Sequence, residues 1–216
     1  ENSQLSVVLS TPFTDQKPGT SGLRKSTKHF LQPNYLESFI EAIFQTLSGV
    51  QGGVLVLGGD GRFGNAHAMN VILRMAAAHG VQKVITTVNG ILSTPAASHL
   101  IRKKRAIGGI ILSASHNSGG PEGDFGVKLN GSNGGPAAES LTDEIYSCTK
   151  TLEKYKIFKD AQISINEPGR YFIGSMSVDV IDGLEGYIDL MQNIFDFDRI
   201  RDFLKNDFLI AFDALH

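Results

Sequence analysis

Two kinds of hydrophobic spacing alternate along the chain. Short apolar runs at residues 54–57 and 108–112 are typical of strands buried on both faces of a sheet. Residues 35–47 instead place apolar side chains at helical spacing, and Gly49 follows as a stop signal. Strands that alternate with helices of this length predict a layered α/β domain, although the pattern does not give the direction of each strand.

The remaining elements follow the same alternation. Strands are predicted at residues 5–9, 54–57, 84–88, 108–112, 126–130 and 208–212. Helices are predicted at 35–47, from after residue 62 to about 78, from 94 to about 105, and at about 137–150. Ser93 and Pro95 form an N-cap and first-turn pair for the third helix. Residues 17–24 are predicted to be a turn-rich loop, and residues 158–168 and 193–205 a later extension.

Length, charge and cysteine content narrow the function classes. The 216 residues are enough for one core, or for one domain and part of a second. A net charge of −2 gives no basic excess that would attract nucleic acid or a membrane, and the basic cluster at 102–105 is interpreted as a solvated helix end. A single cysteine, Cys148, excludes an internal disulfide and is interpreted as an inert core thiol.

Targeting signals are not visible in the sequence. The chain has no apolar run of about 18 residues, so no membrane span is predicted. Its first residues lack the basic start and apolar block of a signal peptide. A cytoplasmic protein is therefore expected.

Residues 113–120 form the segment with the clearest chemistry. Ser115 and His116 lie in a turn of small residues that leaves the apolar strand at 108–112. A hydroxyl presented beside a group that can handle a proton is expected of a serine that carries a covalent group. Because no glycine stands two residues to either side of Ser115, this is not the G-x-S-x-G elbow of acyl-transfer enzymes.

Three further segments indicate phosphate chemistry. Thr20, Ser21 and Arg24 combine hydroxyls with a guanidinium, which suits a phosphate group. Lys128 follows on the next short strand and can place a point charge near Ser115, and Arg62 closes a glycine-rich loop that can shape the pocket floor.

Each of these segments also has a structural interpretation. Arg24 can be an ordinary surface-loop residue, residues 58–62 a tight turn, and Lys128 a solvated lysine at a strand edge. Asp60 and Asp124 are interpreted as turn caps rather than metal ligands.

Four motifs together carry a family resemblance that extends through nearly the whole chain. They are residues 17–25, 58–63, 89–95 and the long stretch 108–136. On them the chain resembles the N-terminal domain of eukaryotic phosphoglucomutases in the α-D-phosphohexomutase superfamily, parafusin-like members included. The resemblance implies a three-layer α/β/α domain with a mixed sheet at residues 1–205, and the first strand of a truncated second domain at 206–216.

The resemblance implies a phosphoserine enzyme that interconverts glucose 1-phosphate and glucose 6-phosphate through glucose 1,6-bisphosphate. Ser115 matches the phosphorylated serine of the family. His116 and Lys128 match residues with acid–base and charge-stabilising roles in the transfer.

The resemblance also implies the contacts to phosphate. Arg24, with Thr20 and Ser21 beside it, matches the loop that contacts the phosphorylated site and its ligand. Arg62 is grouped with them as a phosphate-binding candidate.

The family pattern is not complete in this chain. Ser113 and Ser118 stand where the family serine loop, Thr-Ala-Ser-His-Asn-Pro, has threonine and proline. The aspartate loop that holds Mg²⁺ together with the serine phosphate is missing, so Ser115 supplies a single metal ligand through its phosphate. The Gly-Glu-Glu sugar loop and the distal phosphate loop are missing as well. We therefore expect further mutase domains in the full-length protein, with sugar phosphates as partners, and an inactive isolated chain.

Two other functions stay open. The superfamily includes members that resemble scaffold or membrane-trafficking proteins with weak or absent mutase activity, and Ser118 leaves room for that function. A module that ends at residue 216 and serves only in interactions is the third possibility.

Overall fold

The computed structural model describes residues 4–206 and 208–213, without the side chain of residue 185. Its strands are β1 (Gln4–Leu9), β2 (Leu23–Ser26), β3 (Val54–Gly59), β4 (Lys83–Thr87), β5 (Gly108–Leu112), β6 (Asp124–Gly131), β7 (Lys154–Lys159), β8 (Gly169–Ile173) and β9 (Met176–Ile181). Its helices are α1 (Thr27–Phe30), α2 (Tyr35–Thr46), α3 (Asn65–Ala78), α4 (Thr94–Lys103), α5 (Glu139–Thr149), α6 (Glu185–Ile194) and α7 (Phe197–Leu204). The chain divides into two units, residues 1–183 and 184–216. The domain limits 1–205 and 206–216 stay a prediction.

One mixed sheet organises the first unit. Its strands lie in the order β2-β6-β5-β3-β4-β9-β8, with β5, β3, β4 and β9 parallel to one another. Strand β6 runs antiparallel to β5 and β2, and β8 runs antiparallel to β9. Strand β1 pairs with β7 in a separate antiparallel ribbon. Because the central parallel strands are covered on both faces, β3 and β5 appear in the sequence as unbroken apolar runs.

Helices cover the two faces of this sheet. Leu55 and Leu57 of β3 join the main core beneath α2 and α3, whereas Val56 between them is buried on the opposite face. That opposite face is covered by α4, which packs on β3 and β5. Helix α2 in turn contacts α3 and α5. The predicted three-layer α/β/α domain with a mixed sheet is therefore confirmed.

Local sequence signals account for several element boundaries. Ser93 caps α4 by accepting a hydrogen bond from the amide of Ala96, and Pro95 stands in the first turn, as predicted. Helix α3 ends at Ala78, shortly before Gly80 adopts a φ of 74°.

The structure agrees with the interpretations of the basic cluster at 102–105 and of Cys148. The basic residues 102–105 are exposed at the end of α4. Cys148 lies half buried on α5, where burial, followed by the charge of Glu41, raises the pKa of its thiol. A raised pKa keeps the thiol protonated, as expected of an unreactive cysteine. Within the described ranges, no helix is long and apolar enough to cross a membrane.

Other predictions were wrong. The extension at 158–168 begins inside β7, and residues 23–24 of the predicted loop already belong to β2. The elements α1, α6, α7, β2, β7, β8 and β9 were not predicted. Residues 208–212, predicted to be a strand, have no regular secondary structure. An apolar segment becomes a strand only where a neighbouring strand takes up its backbone hydrogen bonds, and residues 208–213 have no such neighbour among the described residues.

The fold brings two loops to one edge of the sheet. Strands β3 and β5 are parallel neighbours, so the loops that follow them leave from the same end. The amide of Asp60 donates a 3.1 Å hydrogen bond to the carbonyl of Leu112 and joins the two loops at their base. The candidate site lies just beyond this contact.

Candidate functional site at Ser115

Ser115 lies in a strained turn directly after β5. Its φ of 55° is in the left-handed region, which costs a non-glycine residue of the order of 1 kcal/mol. The backbone amide of Ser115 donates to the hydroxyl of the buried Ser113 at 2.9 Å, and Ser113 is hydrogen-bonded in turn to Asp60. These contacts fix the backbone of the turn, in which the Ser115 side chain is exposed.

Two cationic side chains donate to the Ser115 hydroxyl. The distance from Arg24 Nη2 to Ser115 Oγ is 2.8 Å, and the distance from Lys128 Nζ to Ser115 Oγ is 3.0 Å. Arg24 belongs to β2 and Lys128 to β6, so both come from regular strands of the sheet. The structural interpretation of Lys128 as a solvated strand-edge lysine is wrong, because Lys128 is partly buried and directed to Ser115.

Arg62 holds the backbone of the serine turn. Its guanidinium donates to the carbonyls of Ser115 at 3.0 Å, Asp124 at 2.7 Å and Asn117 at 3.4 Å. The same group binds both carboxylate oxygens of Asp60, with Nε at 3.0 Å from each. Burial alone would raise the pKa of Asp60, but the hydrogen bonds from Arg62 and Ser113 hold it below its ordinary value. Asp60 therefore neutralises Arg62, which acts as a clamp on the turn.

Across the described residues, no carboxylate forms an ion pair with Arg24 or Lys128 within 4.0 Å. Burial, followed by the charge of Arg24, lowers the pKa of Lys128. Arg24 Nε is buried and has no hydrogen-bond partner within the described part of the chain. Donors that crowd around a neutral hydroxyl are arranged for an anion on that hydroxyl.

The other predicted residues, His116, Thr20 and Ser21, make no hydrogen bond to the Ser115 hydroxyl in the described part of the chain. The His116 side chain is exposed next to Ser115, and no hydrogen bond joins it to a described residue. Thr20 and Ser21 are not hydrogen-bonded to Ser115. They instead line a cleft of about 950 Å³ together with Lys128.

Gly22, in the predicted loop at 17–24, and Gly126, for which the sequence predicts no role, let neighbouring backbone segments approach closely. A Cβ on Gly126 would lie 2.3 Å from the carbonyl oxygen of Ser113. A Cβ on Gly22 would lie 2.3 Å from the carbonyl oxygen of Val127, and Gly22 has a φ of 84°. Each glycine stands two residues before a cation of the site, Gly22 before Arg24 and Gly126 before Lys128. A glycine in or beside a strand often marks a close backbone approach, and this is the signal that could have identified them.

The donor set around Ser115 does not suit a metal by itself. Among residues 4–206 and 208–213, no group of three or more His, Cys, Asp or Glu side chains could hold a metal ion. Both oxygens of the Asp60 carboxylate are already bound by Arg62.

Comparison with known proteins identifies the domain. Residues 15–156 match the family model for phosphoglucomutase/phosphomannomutase, alpha/beta/alpha domain I. The chain belongs to this family.

Relatives of the family share close to half of the residues. A phosphoglucomutase from Schizosaccharomyces pombe is 52% identical over 98% of this chain, and one from Rhizobium radiobacter is 48% identical over 98%. In each case this chain spans 39% of the relative's length.

A solved structure has the same fold. The exocytosis-sensitive phosphoprotein parafusin (phosphoglucomutase) from Paramecium, in its open form, matches 94% of this chain and 39% of its own, with a TM-score of 0.88 and 41% identity.

Proposed function

We propose that this chain is the phosphoserine-bearing domain of a phosphoglucomutase, which interconverts glucose 1-phosphate and glucose 6-phosphate together with further domains. The observation that carries the proposal is the convergence of Arg24 and Lys128 on the Ser115 hydroxyl. A phosphoryl group on Oγ would supply the anion for these donors, because charge-assisted hydrogen bonds to phosphate are among the strongest in proteins.

The reaction proceeds by transfer of this phosphoryl group. The bond between phosphorus and Ser115 Oγ breaks as a bond forms to the free hydroxyl of the sugar monophosphate, which gives glucose 1,6-bisphosphate. The bisphosphate turns over in the site and returns its other phosphate to Ser115. Since phosphoryl transfer depends mainly on positioning and charge neutralisation, Arg24 and Lys128 stabilise the negative charge of the phosphoryl group in the transition state.

The remaining residues have supporting roles in this proposal. His116 takes the proton of the attacking sugar hydroxyl and returns one to Ser115, as its place beside the serine allows. Thr20 and Ser21 bind the sugar phosphate from the cleft that they share with Lys128. Arg62 keeps the serine turn in place through its three carbonyl contacts.

The proposal includes a metal ion that this chain does not hold alone. The cationic surroundings of Ser115 and the paired Asp60 do not fit a complete Mg²⁺ site, which requires several free oxygen ligands. Ser115 would contribute one ligand through its phosphate, and the others would lie outside this chain. A cytoplasmic location is also part of the proposal.

A second candidate function is a weakly active or inactive mutase homologue that acts as a scaffold or trafficking protein. It is favoured by the similarity to parafusin, named an exocytosis-sensitive phosphoprotein, and by Ser118 in place of proline. Retention of Ser115, Arg24 and Lys128 favours the enzyme.

The test uses the full-length protein that contains this domain. Incubation with glucose 1,6-bisphosphate should add one phosphoryl group at Ser115, and glucose 1-phosphate should then be converted to glucose 6-phosphate. Peptide mapping and a coupled assay measure the two results. If the wild-type protein shows no turnover and Ser115 stays unmodified, the proposed enzymatic activity is wrong and the scaffold function remains.

A further inference from the structure

Arg24 lies on a segment whose two ends are held at one point. Gly19 and Gly22 exchange backbone hydrogen bonds of 3.0 Å and close a two-residue turn. Residues 16–26, the Arg24 segment, lead into this turn and return from it along β2. Asp15 directly precedes the segment, and Lys25 Nζ lies 3.5 Å from Asp15 Oδ2 at its base.

Tyr35, the first residue of α2, anchors the side that enters the turn. It is fully buried, and its carbonyl accepts a 2.6 Å hydrogen bond from Gln16 Nε2. Its hydroxyl donates to Asp15 Oδ2 at 3.1 Å. Helix α2 is part of the core, so this side of the Arg24 segment is attached to a rigid element.

His29 attaches the side that leaves the turn to the same carboxylate. It belongs to α1, which directly follows β2, and its Nε2 lies 2.9 Å from Asp15 Oδ2. Its ring also meets Tyr35 edge-on, with centroids 4.5 Å apart. The carboxylate of Asp15 thus contacts three side chains, those of Tyr35, His29 and Lys25. Although burial would raise its pKa, the hydrogen bond from the Tyr35 hydroxyl, followed by the charge of Lys25, holds the pKa of Asp15 below its ordinary value.

We propose that Asp15 is a positioning residue that holds Arg24 at Ser115 by clamping both ends of the Arg24 segment. The inference rests on the proposed function, because it assigns Asp15 a part in that reaction. Asp15 acts through Arg24 alone: across the described residues, no contact joins it to Ser115. A guanidinium displaced by even about 1 Å loses much of its effect on a transferred phosphoryl group.

A double-mutant cycle in the full-length protein tests this role. Asp15→Asn keeps the size of the side chain and removes its charge, and we expect kcat/KM for glucose 1-phosphate to fall roughly tenfold or more. In an Arg24→Ala background the same change should cost less than about twofold, because Arg24 is no longer there to be positioned. Equal losses in the two backgrounds would overturn the proposal, since a general structural defect is independent of Arg24.

Controls separate charge loss and misfolding from positioning. Glu144→Gln removes an exposed carboxylate on α5 and should leave kcat/KM unchanged. Tyr35→Phe removes only the hydroxyl that contacts Asp15, so it should lower kcat/KM in the same Arg24-dependent way. Asp15→Glu, which retains the charge, should recover part of the activity.

A second measurement stays informative if the wild-type protein shows no turnover and the proposed function fails. Hydrogen–deuterium exchange of residues 17–26 should be faster in Asp15→Asn than in the wild-type protein, while exchange in α3 stays the same. Unchanged exchange in residues 17–26 would overturn the clamp itself, whatever the enzymatic result.

Discussion

Arg24 and Ser115 are 91 positions apart in sequence, yet Arg24 Nη2 lies 2.8 Å from Ser115 Oγ. Strand pairing produces this contact. Arg24 stands opposite Gly126 in the antiparallel pair of β2 and β6, and Lys128, two residues after Gly126, projects from the same face. The glycine between the two cations leaves space for the serine turn. Arg24 and Lys128 therefore reach one hydroxyl as a consequence of sheet register.

Removal of either cation should lower the rate of phosphoryl transfer more than it weakens substrate binding. We expect Arg24→Ala and Lys128→Ala to lower kcat in the full-length protein by roughly 10²- to 10³-fold, as for other preorganised donors. Steady-state kinetics with glucose 1-phosphate measure this. A change confined to KM would show that the two residues contribute only to ground-state binding.

Ser115→Ala should abolish both labelling and turnover. The alanine lacks the oxygen that accepts from Arg24 and Lys128 and that would carry the phosphoryl group. Intact mass after incubation with glucose 1,6-bisphosphate should show no added phosphoryl group. Labelling of the variant would place the modified residue elsewhere.

Gly126→Ala should destabilise the protein through steric overlap. The new Cβ would lie 2.3 Å from the carbonyl oxygen of Ser113, so β6 and the serine turn must move apart at a cost of about 1–3 kcal/mol. Gly131→Ala in the same strand is the matched control, because its nearest contact is an ordinary 3.5 Å to Asn133. Denaturant unfolding compares the two, and equal stabilities would argue against the close approach.

The contact between Glu41 and His79 should make the free energy of unfolding depend on pH in the acidic range. The buried Glu41 carboxylate lies 2.8 Å from His79 Nε2 and also accepts from Gln45 and the amide of Lys156. Burial would raise the pKa of Glu41, but these hydrogen bonds, with His79 first, keep it below its ordinary 4.5. The folded state therefore binds this proton less tightly than the unfolded state. The resulting stabilisation is present above about pH 4.5 and is lost as the pH falls through the lower folded value.

The Glu41→Gln variant measures this contribution. At neutral pH it should lower the free energy of unfolding by about 1–3 kcal/mol, because buried groups that hydrogen-bond to the Glu41 carboxylate lose an acceptor. The difference from the wild-type protein should narrow as the pH drops below 4.5. A difference that stays constant down to about pH 3 would contradict the predicted sign.

Ser118→Pro should raise turnover. Asn117 precedes residue 118, and its carbonyl is one of the groups held by Arg62. A proline at 118 would restrict Asn117 to extended backbone and reduce the freedom of the serine turn. Coupled assays of the full-length variant check this, and unchanged or lower activity would count against a loosened turn.

The local character of most elements was available from the sequence. The apolar runs of β3 and β5 and the cap at Ser93 depend on neighbours in the chain, so pattern alone predicted them. Strands β2, β7 and β9 were missed, because each pairs with a strand that is distant in sequence. Strand β8, which pairs with β9 across a short turn, was missed as well. The segment 208–212 shows the opposite error, since an apolar run was taken for a strand without a pairing partner.

For the site, the sequence by itself determined which chemical groups are present. Ser115, His116, Arg24 and Lys128 could be named from residue type, local turns and motif. Only the tertiary structure decided that Arg24 and Lys128 share one oxygen, that Arg62 is neutralised by Asp60, and that Thr20 and Ser21 face the cleft. The physical reason is that side-chain convergence depends on strand register and on the direction of each strand, and neither is encoded in local spacing.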